Sequence, residues 1–419
     1  MQINNRISKL RKKNNIKLEI LAKGIVSTSH LSNIESGKYE ASLDILELLA
    51  MKFQVPDTYL VEHNTIDENL EHILLQFETS IMTNDSKSST IYQQLKDNYP
   101  YINSIFQETK YYILLACYQL KCNLVNDALH SYKNEFLPLI KKLKIPDEIE
   151  RVQYYFLGGI CYFEENYSDS LVYYRRLFDY YNNPSIEGMI DYNIGLVLYK
   201  LNLLTDSIES TKKAAEQYFL DKKWGKLGEA YNLIGSIYLK MEELKRAEKY
   251  FKLSLVISQN NSLSLLESRT LHNLAIIHKR ENNSEKAIQL LTKSIEIKKK
   301  LNGNDIVLSY TLLIEVLLNN SELDKASAYI EDIDQIISKL TTINYYQFII
   351  VKGKYMLEIG DFDQCQHYFE EAVGYFLKHQ LWKYINLYAE EYGNILFNHR
   401  KYKRSSEIYK LKIISEKKL

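Results

Sequence analysis

Large and small apolar residues recur along most of this chain in the order that two closely crossing helices require. From about residue 110 each unit holds a large residue, two intervening positions, an apolar residue, a small residue, and a second small one about twelve residues later. Tyr112, Leu115 and Ala116 pair in this way with Ala128, Tyr154, Leu157 and Gly158 with Ser170, and Tyr231, Ile234 and Gly235 with Ala247. In most units an aromatic or aliphatic residue follows the second small one by four, as in Tyr132, Tyr174, Phe251, Leu291, Phe369 and Tyr409. The anchors Ala116, Gly158, Gly195, Gly235, Ala275, Ile314, Gly353 and Gly393 stand 42, 37, 40, 40, 39, 39 and 40 residues apart. Small residues let two helix backbones approach while large ones fill the space to the next pair, so the pattern predicts stacked helical hairpins. Residues 68–104, with Leu70, Ile73, Leu74 and Phe77 and then Ile91, Leu95 and Tyr99 around the polar stretch 84–90, predict one further, degenerate hairpin.

The first sixty residues follow another rhythm. Arg6–Lys13 reads as a basic helix, Leu18–Lys23 as a second closed by Gly24, and Thr28–Glu35 as a third capped by Ser27 and stopped at Gly37. Ser42 is expected to cap a fourth helix, Leu43–Phe53, and Pro56 to open a short fifth. The run Leu31-Ser32-Asn33-Ile34-Glu35-Ser36-Gly37-Lys38 followed by an apolar helix resembles the repressor-type helix-turn-helix domain of bacterial and phage regulators. The resemblance implies that Arg11 pairs with Glu35 and that the third helix enters the major groove. Thr28, Ser29, His30, Ser32 and Asn33 are then candidates to read bases. Arg11, Lys12, Lys17 and Lys38 are candidates to hold phosphates, which position the domain without reading sequence. At the start of the second helix Lys17-Leu18 departs from the small cap and Gln usual in such domains.

The expected fold is all-α: a five-helix repressor-type domain over 1–62, connecting helices over 63–104, and over 105–419 a right-handed superhelix of tetratricopeptide-like hairpins, about eight or nine in all. Only 5 prolines and 14 glycines among 419 residues suit such a helical chain. The formal net charge of zero says little about partners, but residues 1–40 carry eight Lys/Arg against three Glu, a local excess that fits phosphate contact. Cys117, Cys122, Cys161 and Cys365 form no CxxC pair and read as reduced core residues. No secretory signal and no membrane-length apolar run is visible, so a cytoplasmic protein that does not enter the membrane is expected.

No phosphate-loop, nucleophile-elbow or metalloprotease motif occurs, His272 and His278 fall on different faces of one helix, and neither enzyme activity, cofactor nor metal is expected. Binding chemistry is better represented. The first helices of three successive central hairpins carry Tyr192-Asn193, Tyr231-Asn232 and His272-Asn273. An asparagine offers a donor and an acceptor to a peptide backbone of any sequence, or it ties neighbouring helices together. Asp191, Arg269 and Lys279 would add selectivity or hold the peptide's ends.

A repressor-type domain followed by roughly 40-residue tetratricopeptide-like units is similar to the peptide-sensing quorum regulators of Gram-positive bacteria, above all the neutral-protease and virulence regulators of the Bacillus cereus group. That resemblance implies duplex DNA as one partner and a short signalling oligopeptide as another, homodimers or higher homo-oligomers, and a protein partner such as a response regulator in the peptide-free state. Two other readings stand beside it: an array that titrates a protein partner, and a phage or mobile-element repressor whose array serves oligomerisation.

Overall fold

The computed structural model describes residues 2–83, 87–141, 144–301, 306–336 and 342–418, and among them every regular element is helical. The N-terminal domain consists of α1 (Ile3–Lys13), α2 (Leu18–Ala22), α3 (Thr28–Glu35), α4 (Leu43–Phe53) and α5 (Asp57–Val61). Local chemistry sets the ends. Ser27 Oγ accepts the N–H of His30 at 3.1 Å, satisfying one of the orphan donors at the start of α3. Gly24 and Gly37 take φ of +78° and +79° just past α2 and α3, where a side chain would strain the backbone. One cap differs from expectation and one follows it. Ser42 stands at the N-cap of α4 but its hydroxyl bonds the Asp44 carboxylate instead of the helix end, and Lys17 offers α2 no side-chain cap. Ile7, Leu21, Leu31, Ile34, Leu46, Leu49 and Leu60 form the core, with Leu31 and Ile34 facing inward as read from the sequence.

Residues 1–223 form one unit. Beyond the N-terminal domain it contains α6 (Glu68–Met82) and α7 (Ser88–Asn98), the expected degenerate hairpin, whose polar connection lies partly outside the described residues. Then come α8 (Ile105–Lys121) with α9 (Val125–His130), which runs on as a π-helical turn over Ser131–Phe136, α10 (Asp147–Phe163) with α11 (Tyr167–Arg176), and α12 (Pro184–Lys200) with α13 (Leu204–Leu220). Residues 224–419 form the second unit. Its helices are α14 (Trp224–Lys240), α15 (Leu244–Asn260), α16 (Ser264–Arg280), α17 (Ser284–Leu301), α18 (Ile306–Asn319), α19 (Leu323–Asp334), α20 (Thr342–Glu358), α21 (Phe362–Lys378), α22 (Trp382–Asn398) and α23 (Tyr402–Glu416). Through the centre, 17-residue helices alternate with three-residue turns, which accounts for the 40-residue period.

The anchors do what the pattern requires. A Cβ added to Gly235 would stand 2.6 Å from the Phe251 ring, and one on Gly158 or Gly393 would meet Tyr174 or Tyr409 at 2.9 Å. Where the second small residue is serine it also bonds: Ser170, Ser207 and Ser405 donate to the carbonyls of Gly158, Gly195 and Gly393 at 2.7–2.8 Å. Of the cysteines, Cys117 and Cys365 are buried and all four are free, but Cys122 is exposed at the end of α8, which corrects its reading as a core residue.

A buried polar interface joins the N-terminal domain to the first hairpins. Arg6 is fully buried, 2.7 Å from Glu108 Oε2, and its guanidinium also donates to the carbonyls of Tyr59, Ile102 and Asn103. Tyr59 OH donates to Glu108 Oε1 at 2.6 Å; burial and then the Glu108 charge push its phenol well up, so it keeps its proton. Lys9 lies 2.7 Å from Glu135 and 3.5 Å from Glu108. Asn5 Nδ2 donates to the carbonyls of Leu139 and Lys141 at 3.0 and 3.1 Å. Burial favours the neutral form of Glu135, but Lys9 and Lys13 outweigh it and hold the carboxyl below its usual range.

Candidate functional site

Helix α3 presents its N-terminal end to solvent. Thr28, Ser29 and Ser32 are exposed, His30 and Asn33 half-buried, and the Asn33 side chain makes no hydrogen bond among the described residues. The His30 ring stacks on Tyr39, centroids 5.6 Å apart, and exposed Tyr39 borders the same surface. Sequence reasoning missed Tyr39, since one aromatic past a helix end carries no periodic signal. Lys12, Lys17 and Lys38 are exposed.

Arg11 is placed differently from a free phosphate ligand. Its Nε and Nη2 bond both Glu35 oxygens at 2.6 and 2.8 Å and its Nη1 donates to the Ile16 carbonyl at 3.2 Å. The guanidinium fork is thus committed to tying α1 to α3, as the resemblance implied, and this replaces the expectation of a phosphate contact. Arg6 and Lys9 are likewise buried, so three of the eight cations counted in residues 1–40 serve the protein's own structure.

In the first unit Asp191, Tyr192 and Asn193 are half-buried on α12. Asn193 donates to Met189 Sδ at 3.1 Å, and the Tyr192 ring faces Tyr218 at 6.3 Å. Burial pushes the Asp191 carboxyl up to about 6, with Lys213 pulling it down and Glu187 and Glu209 adding to the rise.

In the second unit Tyr231, Asn232, His272 and Asn273 are half-buried and Arg269 is exposed. Asn273 Nδ2 donates to Asn232 Oδ1 at 3.1 Å, and Thr270 Oγ1 approaches the same oxygen at 3.4 Å. His272 Nδ1 lies 3.1 Å from Ser309 Oγ. The three asparagines do not share one register. Asn193 and Asn273 are the tenth residues of their helices and Asn232 is the ninth, about 100° away around the axis. Asn232 and Asn273 bridge neighbouring helices while Asn232 Nδ2 and Asn273 Oδ1 find no partner among the described residues.

Lys279 opens a feature that sequence reasoning missed. Its Nζ is 2.6 Å from Glu315, whose other oxygen is 3.0 Å from Lys354 Nζ, which in turn lies 2.7 Å from Glu391. Alternating charges therefore cross α16, α18, α20 and α22. Burial works against both central charges, yet Lys354 and Lys279 hold the Glu315 carboxyl below its usual range while Glu315 and Glu391 raise Lys354. These residues and Asn319, Asn394 and Asn398 line a cavity of about 620 Å³, within the range of small-ligand sites. No group of three or more His, Cys, Asp or Glu residues able to hold a metal occurs among the described residues. None of the described helices is long and apolar enough to cross a membrane.

A helix-turn-helix family model matches residues 7–60 and a tetratricopeptide-repeat model residues 226–300. The chain is 24% identical over 405 residues to the transcriptional activator NprA of Geobacillus stearothermophilus, covering 93% of this chain and 97% of that protein. Its fold is similar to the apo form of the quorum sensor NprR from B. thuringiensis, with a TM-score of 0.67 at 17% identity over 84% of this chain and all of that one. NprR in complex with its cognate peptide NprX gives a TM-score of 0.63 at 16% identity, over 83% of this chain and 98% of that one. Likeness at these identities is one of fold. With the two family matches it bears out the resemblance to the neutral-protease regulators and the all-helical architecture of helix-turn-helix domain plus repeat array.

Proposed function

We propose that this protein is a DNA-binding transcription regulator whose repeat array holds a short extended peptide, and that the peptide controls how the helix-turn-helix domain meets DNA. The observation that carries this reading is the pairing, on one chain, of an exposed α3 N-terminus with repeat hairpins whose first helices present unpaired amide atoms and a charged cavity. Asn232 Nδ2 and Asn273 Oδ1 are a donor and an acceptor suited to a peptide backbone, and the Lys279–Glu315–Lys354–Glu391 ladder offers both signs of charge to side chains or termini. That NprA is a transcriptional activator and NprR a quorum sensor with a cognate peptide supports the same reading. On its operator the protein is at least a dimer, since one such domain reads only a few base pairs; the mass of the complex measures this.

The test uses the full chain and a pool of short synthetic peptides, with thermal stability as the first readout because a ligand of the folded state raises it. With a peptide that stabilises the protein, Asn273→Ala weakens binding about 5- to 150-fold if the amide meets the peptide, the cost of about 1–3 kcal/mol for a lost buried partner. A variant that melts earlier but binds the peptide like the wild type shows that Asn273 only ties α16 to α14, and places the peptide elsewhere.

A further inference from the structure

We infer that the repeat array is itself part of the DNA interface: Lys133 and Lys141, on the segment after α9, hold the phosphate backbone that passes beside α3. The inference rests on the DNA-binding reading above and extends it to residues far outside the helix-turn-helix domain.

Two independent observations lead to it. The first is a cleft of about 980 Å³ between the N-terminal domain and residues 130–141. One wall carries Lys12 at the end of α1 with Ser32 and Ser36 of α3, and the other carries Lys133 and Lys141. Lys12, Lys133 and Lys141 are exposed and none has an ion-pair partner among the described residues. The carboxylates in the same cleft are neutralised: Glu35 by Arg11, and Glu135 by Lys9 and Lys13. What remains is positive, and it adjoins the face of α3 expected in the major groove. A helix lying in that groove has a sugar-phosphate strand on each side. On the α1 side that strand would run along this cleft, between Lys12 and the two array lysines.

The second observation is that the far wall is fixed. Glu135 is held by Lys9 and Lys13, and the carbonyls of Leu139 and Lys141 by Asn5. Glu135 lies on the π-helical turn over Ser131–Phe136, and such turns recur at functional sites. Lys133 and Lys141 are therefore held at a set distance from α3 instead of swinging on a linker, and a phosphate bound there meets a preformed site.

The measurement is binding of the full chain to a random-sequence DNA duplex across a salt series, because phosphate contacts are blind to sequence. Each lost contact should flatten the plot of log affinity against log salt by about 0.9, so Lys133→Ala with Lys141→Ala should flatten it by about 1–2. Both residues are exposed, and an unchanged melting temperature confirms that the double variant is folded. An unchanged slope overturns the inference. Tighter binding overturns it too, showing that the segment obstructs DNA. Asn33→Ala serves as the control, losing sequence preference with its slope intact. A wild type that binds no duplex at low salt defeats the DNA-binding reading itself, and this inference with it.

Discussion

Asp191 shows how one side chain can be tuned by position alone. Its half-buried carboxyl on α12 titrates near 6 because burial disfavours the charge, and Lys213 only partly offsets this. The folded chain then binds this proton more tightly than the unfolded one, whose aspartates titrate near about 3.9. Stability from this group is fully present below about pH 3.9, falls as pH rises from there to 6, and is gone above 6. Asp191→Asn should therefore melt above the wild type at pH 7.5 and approach it only as pH falls below about 3.9; equal melting at pH 7.5 would exclude a destabilising carboxylate. The asparagines were legible as polar residues on the first helices of central hairpins, but their pairing was not. Whether Asn232 meets Asn273 depends on how α14 and α16 stack, which neither residue's neighbours in sequence reveal.

Among the elements, the hairpin turns carry a regularity hidden in the sequence. Seven residues after each anchor the backbone turns left-handed, at Asn123, Glu165, Asn202, Glu242, Asn282, Ser321, Gly360 and Arg400, with φ between 56° and 88°. Only one of the eight is glycine, so the usual punctuation of a helix end is missing and the turns could be placed only by the spacing of the anchors. The backbone strain of the others is carried by the packing of the flanking helices. Gly360 has nothing within 4 Å of a built Cβ, so Gly360→Ala tests the backbone term alone and should cost about 1 kcal/mol. Arg400→Gly should do the opposite, stabilising by about 0.5 kcal/mol after the added freedom of the unfolded chain is counted. Urea midpoints of the two variants should move in opposite directions; a shift in the same direction would show that contacts, not φ, govern these turns.

For the molecule as a whole, the decisive contact is the buried Arg6–Glu108–Tyr59 cluster between the N-terminal domain and the first hairpins. An exposed ion pair is worth little, but removing one partner of a buried pair strands the other without solvent. Glu108→Ala leaves Arg6 without its carboxylate and Tyr59 without its acceptor. It should cost about 3–5 kcal/mol and loosen the domain from the array. Hydrogen exchange over α1 and α8 should rise together in this variant, whereas Glu148→Ala, at a largely exposed carboxylate, should leave both unchanged. Protection that survives Glu108→Ala would mean that apolar packing alone docks the domain.

By itself the sequence determined the all-helical fold, the 40-residue hairpin period, and the short helices of the N-terminal domain with the turns around α3. These are short-range properties: helix ends answer to residues within four positions, and close helix crossings answer to small residues that recur in register. The tertiary structure decided which charges are free and which are committed. In composition Arg6, Lys9 and Arg11 are indistinguishable from Lys12, yet the first three are bound to carboxylates up to 126 positions away. Lys279, Glu315, Lys354 and Glu391 become one ladder only because hairpins about 40 residues apart stack side by side. Coulomb and hydrogen-bond energies fall off within a few ångströms inside a protein, so they follow distance in the fold, and distance in the fold is what a linear pattern leaves open.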